Sequence, residues 1–172
     1  LPVPPGFTIT TEACREYLSQ GSAPGELQVQ VTMALRQLED NIGRRLGDRH
    51  DPLLVSVRSG AAFSMPGMME TVLNIGLNDA SVKGLAEESG DERFAWDSYR
   101  RLLQMFGKTV LEMPGEDFSD DLDKAKSTKG VSSDVDLDVN DLKALVTTFK
   151  DAVREHSGHE FPQQPREQLD SC

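Results

Sequence analysis

Apolar residues recur at Val31, Leu35, Leu38, Ile42 and Leu46, close to the 3.6-residue repeat of a one-sided helix, and predict a helix over 26–46. Before it, "LPVPPGF" cannot be helical, because its prolines lack amide donors and hold their predecessors extended. "GFTIT" then predicts a short strand. Thr10 or Thr11 is placed to cap a helix through "EACREYLSQG" that stops at Gly21. Past the long helix, "PLLVSV" predicts a buried strand by its length and branched residues, and "TVLNIGL" a second one.

The texture changes after Asn78. A short helix is expected over 79–88. A long one follows through "DERFAWDSYRRLLQMFGKTVL", with Phe94, Trp96, Tyr99, Leu102, Leu103 and Phe106 as its apolar face. "FSDDLDKAKSTKGV" reads as a weaker, acidic helix. "DVNDLKALVTTFKDAVREHSG" reads as a firm one, lined by Leu142, Leu145, Val146, Phe149 and Val153. Asp138 is set to cap it, with Asp141 three residues on. The last stretch, "FPQQPREQLDSC", reads as an extended polar tail, and no internal repeat is visible. The pattern predicts an α+β chain: an α/β subdomain over 1–77, a helical subdomain over 78–160 and a tail over 161–172.

Composition narrows the partners. The chain has 172 residues and a formal charge of −11, which argues against nucleic acid or an anionic membrane as its target. No apolar run approaches the roughly 20 residues of a bilayer span, and the N-terminus lacks the basic region of a signal peptide. Cys14 and Cys172 sit near opposite ends with no staple or metal spacing, as in a reduced, cytoplasmic protein.

Candidate chemistry gathers in "VSVRSGAAFSMPGMMETVLNIGLND". Arg58 ends a strand, where ligand clefts form in open α/β sheets, and its fork of donors suits phosphate. It could equally be the first exposed residue after a core strand. The following loop has small residues whose amides could approach an anion, although neither GK[ST] nor GxGxxG is present. Met65, Met68 and Met69 are also consistent with gap-filling core. Arg93, Asp97, Arg100 and Arg101 share one side of the long helix and read as a solvated stripe. "REHSGHE" lacks a full zinc set. "DVDLDVND" is no calcium loop, since Val139 and Leu145 stand where glycine and glutamate are needed. No catalytic triad or Cys–His pair can be argued.

The same stretch resembles the nucleotide-binding region of pyruvate, phosphate dikinases, whose members typically show a VSVRSGA-type strand end, a SMPGMM loop and a TVLNLGLND-type strand. "LPVPPGFTITTEAC", "RFAWDSYRRLLQMFG" and "EFPQQPREQL" agree in order and spacing, so the likeness covers essentially the whole chain. The MPGMM segment separates it from the related phosphoenolpyruvate synthases.

The resemblance implies a partial ATP-grasp-like α/β subdomain followed by a mainly helical one. It implies a cytoplasmic, homodimeric enzyme that uses ATP and Mg2+. Such an enzyme phosphorylates a carrier histidine from ATP and phosphate, and then pyruvate on a separate barrel domain. Arg58 matches the family's phosphate-contacting arginine, and Arg101 another arginine at the nucleotide site. Ser64, Met65, Gly67 and Met68 belong to the cover over the phosphates. None of His50, His156 or His159 matches the carrier, and the family's glycine-rich lysine segment, acidic metal ligands and barrel have no counterpart in these residues. The expectation is an inactive piece of a larger enzyme, with no tightly bound cofactor, no metal site and an incomplete sheet edge open to self-association. Two alternatives stand beside it: a freestanding non-catalytic interaction module, and a piece of a sister dikinase.

Overall fold

The computed structural model describes residues 3–60 and 71–172. By its contacts the chain separates into two compact units, Leu1–Arg44 and Arg45–Cys172, where the sequence reading put its first boundary at residue 77.

The first unit holds two helices, α1 (Thr11–Gln20) and α2 (Leu27–Ile42). Each ends on a glycine in the left-handed conformation, Gly21 at φ 68° and Gly43 at φ 78°. The Gly43 amide closes on the Glu39 carbonyl, so α2 stops four residues short of the expected Leu46. The expected strand at "GFTIT" is absent: residues 3–10 are irregular. Strand propensity is expressed only against a partner, and none of the described strands pairs with this stretch.

The second unit opens with two small sheets. β1 (Arg45–Leu46) pairs in parallel with β2 (Pro52–Leu53), and β3 (Val55–Arg58) pairs antiparallel with β4 (Thr71–Ile75). The run "PLLVSV" is therefore not one strand, because it changes partner at Leu54. Beyond β4 come α3 (Ser81–Ser89), α4 (Glu92–Thr109), α5 (Gly115–Lys129), a 3-10 turn at Asp134–Asp136, α6 (Val139–Ser157) and α7 (Pro165–Asp170).

Helix α4 is the centre of this unit, packing on α3, α5, α6 and β4. Its buried hydrophobic side chains are Ala95, Tyr99, Leu102, Leu103 and Phe106, spaced at helical period. Phe94 stands one residue, about 100°, from Ala95, and is 50% exposed, so it leaves the face the pattern gave it. Against α4 lie Leu142, Leu145, Val146, Phe149 and Val153 of α6, all buried as the period predicts. Phe161 meets Phe106 edge-on at 5.2 Å, and Phe118 of α5 meets Phe149 at 4.9 Å. Fully burying each of these large side chains contributes roughly 2 kcal/mol.

Local signals start α6 as expected. The Asp138 carboxylate accepts the Asn140 and Asp141 amides, while Asp141 accepts the amide of Asp138. The tail is the larger surprise. Residues 165–170 form α7 where an extended polar tail was expected, with Pro165 at the first helical position, where its missing N–H removes nothing. Among the described residues, no helix is long and apolar enough to cross a membrane.

Candidate functional site

Strand β3 alternates: Val55 and Val57 are half-buried, while Ser56 and Arg58 face outward. Arg58 pairs across the ladder with Thr71, so the strand ends that bound the segment 59–70 lie side by side. Ser64, Met65, Gly67 and Met68, the loop residues of the sequence reading, lie outside the described residues. Arg58 itself sits where that reading put it, exposed at the end of β3.

The arginines of α4 correct it. Arg100 is 2% exposed rather than solvated. Its Nε and Nη2 donate to one oxygen of Asp97 at 2.9 and 2.8 Å, and its Nη1 to Gln104 at 3.1 Å. A buried guanidinium requires such a carboxylate, since an unpaired one would carry the full cost of desolvation. Arg93 is drawn in too, donating to the carbonyls of Leu137 at 2.8 Å and Asp134 at 2.7 Å. The segment 134–137 thus packs on the stripe expected to face water. Arg101 alone of the three stays outside: its side chain is 57% exposed, with Nε on the second oxygen of Asp97 at 2.9 Å.

Strand β4 links the two elements that carry Arg58 and Arg101. It pairs with β3 and packs on α4, and the Asn74 amide of β4 donates to the Ser98 carbonyl at 3.4 Å. No described hydrogen bond or ion pair joins Arg58 to Arg101.

A polar hub after β4 went unseen in the sequence. Asn78 accepts the amides of Ala80 and Ser81 at 2.9 and 2.8 Å, and donates to the Gln163 carbonyl at 2.9 Å. Gln163 accepts the Asp79 amide at 3.0 Å, and its own amide group donates to the Tyr99 hydroxyl at 3.2 Å. Tyr99 donates to Asp79 at 3.0 Å, and Lys150 reaches the other Asp79 oxygen at 2.7 Å. Burial first, with a smaller contribution from the Asp79 charge, pushes the Tyr99 hydroxyl well above its ordinary value, so it stays protonated as a donor. The hub joins "TVLNIGLND", "DSYRR" and "EFPQQPREQL", three stretches far apart in sequence. The signal for it was Gln163, in a tail read as extended and polar.

His50, His156 and His159 are all exposed, and among the described residues no group of three or more His, Cys, Asp or Glu is arranged to hold a metal.

The chain matches no protein-family model. It is 51% identical over 171 residues to "Pyruvate, phosphate dikinase" of Clostridium symbiosum, covering 98% of this chain and 20% of that protein. It is 52% identical over 169 residues to "Pyruvate, phosphate dikinase 2" of Oryza sativa subsp. japonica, covering 98% and 19%. With "Pyruvate, phosphate dikinase 2" of Zea mays the identity is 52% over 171 residues, covering 99% and 19%. The chain spans about a fifth of the length of these curated relatives. Identity of one residue in two, sustained from end to end, makes this chain a segment belonging to the pyruvate, phosphate dikinase family.

Proposed function

We propose that the chain supplies part of the nucleotide-binding region, with an ATP-grasp-like α/β portion, of an enzyme that interconverts ATP, phosphate and pyruvate with AMP, pyrophosphate and phosphoenolpyruvate. The observation that carries this reading is Arg58: an exposed guanidinium at the end of β3, bounding the segment that holds the SMPGMM sequence. In phosphoryl transfer the protein acts by positioning and by neutralising charge on the phosphate oxygens, which an arginine fork does with two parallel hydrogen bonds. Arg101, exposed on α4, is the second candidate for a phosphate contact. Ser64, Met65, Gly67 and Met68 would lie over the phosphates.

ATP would enter with Mg2+, which shields phosphate charge during transfer. Arg58 and Arg101 would form the cationic side of such a site. The carrier histidine and the pyruvate-binding domain would lie elsewhere in the enzyme, and this segment alone would be inactive.

The test is made in the full-length protein, measuring phosphohistidine formation from labelled ATP beside exchange between pyruvate and phosphoenolpyruvate. Arg58→Ala should slow the first about a hundredfold, equivalent to about 3 kcal/mol of lost phosphate stabilisation, and spare the second. Arg58→Lys should recover only part, because an ammonium keeps the charge and loses the fork. Equal slowing of both half-reactions would make Arg58 a structural residue.

A further inference from the structure

Asp97 is the shared carboxylate of α4, with a side chain only 14% exposed. One oxygen is taken up by Arg100, which Gln104 also holds and which lies 4.0 Å from Asp134. The other oxygen takes Nε of Arg101 at 2.9 Å. That bond uses Nε alone, the inner edge of the fork, and more than half of the Arg101 side chain is open to solvent. The pair stands at i and i+4 with the acid toward the N-terminus, the favourable order on a helix.

We propose that Asp97 is a positioning residue for nucleotide phosphate: anchored by Arg100, it fixes Arg101 in the rotamer that presents its outer Nη edge to the ligand. This rests on the reading above that Arg101 faces the nucleotide. Three features of the geometry favour it. An unanchored arginine loses up to ~2 kcal/mol of rotamer freedom when it grips a phosphate, and the Nε bond removes much of that loss in advance. An ion pair to an exposed arginine contributes only ~0–1 kcal/mol to stability, so folding alone gives little reason for Asp97 to hold Arg101 as well as Arg100. The trio of Asp97, Arg100 and Arg101 also keeps a net positive charge, on a chain whose total is −11.

The test uses the full-length protein, with KM and kcat for ATP in phosphohistidine formation, pyruvate exchange and the melting temperature as readouts. Asp97→Asn is expected to raise KM for ATP about tenfold with kcat little changed, and Asp97→Glu to restore most of the affinity. In an Arg101→Gln background, where nothing remains to be positioned, adding Asp97→Asn should change KM by less than about twofold. Because Asp97→Asn strips a buried guanidinium of its carboxylate, the comparison is repeated with Arg100→Met, which leaves no buried charge stranded. If Asp97→Asn raises KM by the same factor with and without Arg101, the positioning role falls while Arg101 keeps its place. If Arg101→Gln leaves both KM and kcat for ATP unchanged, the underlying reading of Arg101 falls and the proposal with it.

Discussion

Gln168, on the last helix, holds the backbone of Gly76 at the end of β4. Its side-chain carbonyl accepts the Gly76 amide at 2.9 Å, and its amide group donates to the carbonyls of Leu77 at 2.9 Å and Pro162 at 2.8 Å. The side chain is fully buried, so all three bonds are made without water. Gln168→Leu keeps the volume and orphans three backbone groups, at a cost of about 3 kcal/mol or more. Urea denaturation should show the midpoint falling at unchanged slope. A loss under about 0.5 kcal/mol would mean that the turn does not depend on this side chain.

Two helical glycines should respond oppositely to alanine. Gly→Ala inside a helix ordinarily stabilises by up to about 1 kcal/mol. At Gly84 of α3, however, a Cβ would stand 2.5 Å from the Arg49 carbonyl oxygen and 2.8 Å from that of His50. Backbone cannot yield as a flexible side chain can, so Gly84→Ala should destabilise, by about 2 kcal/mol. At Gly115, in the first turn of α5, the nearest atom is the Lys108 Cδ at 3.9 Å. Gly115→Ala should be neutral or stabilise by a few tenths of a kcal/mol. Melting curves of the two variants decide it, and a stabilised Gly84→Ala would show that α3 and the β1–β2 connection are free to separate.

What was legible in the sequence followed local rules. The stripes of α4 and α6 came from periodicity, the start of α6 from the spacing of Asp138 and Asp141, and the stop of α1 from Gly21. What was not legible depends on partners distant in sequence. "PLLVSV" breaks because its two halves pair with different strands. Arg100 and Arg101 are neighbours of identical chemistry, and only the packing of 134–137 on α4 decides which is buried. The tail reads as extended and polar because the six residues of α7 are too few to show a helical period, although Pro165 suits a first helical position. At the site, Arg58 was readable as a strand end, whereas the hub around Asn78 needed three separated stretches to meet. The phosphate role proposed for Arg58 rests on family resemblance, since charge and spacing alone are equally consistent with a first exposed residue after a core strand.

Acid should weaken the fold through Asp138. The Lys129 ammonium, then the Asp141 amide, hold its carboxyl down to about 2, from an ordinary 3.8. A folded-state pKa below the unfolded one gives a contribution fully present above the unfolded value and lost as pH falls through the folded one. That window runs from about 4 down to about 2. Asp138→Asn keeps a capping side chain but not the charge, so its stability should vary less with pH across this window than that of the unsubstituted protein. Parallel acid titrations of stability would show the two curves converging at low pH. Curves that stay parallel would place the acid sensitivity elsewhere.

Helix α1 should be the least protected helix of the chain. It has ten residues and no buried side chain, with Tyr17 53% and Leu18 75% exposed, and the side chain of Thr10 makes no capping bond. A helix this short is marginal in water on its own, since nucleation is unfavourable and stability in proteins comes mostly from a packed face. Helices α4 and α6, by contrast, bury a full stripe each and start from side-chain caps at Asp91 and Asp138. Their amides should open only with the cooperative unfolding of the second unit, and those of α1 by local fraying. Amide hydrogen exchange on the 172-residue chain, followed by mass spectrometry, should find Cys14–Gln20 exchanged at the earliest times. Peptides spanning Leu102–Phe106 and Leu145–Phe149 should remain protected. Grafting stronger propensity onto α1, with Ser19→Ala and Gln20→Arg, should slow its exchange by only a few-fold, because the packing it lacks outweighs any gain in propensity. Protection of α1 equal to that of α4 would mean that α1 is covered by a packed surface, for instance in a self-associated form, and sedimentation at two concentrations would reveal it.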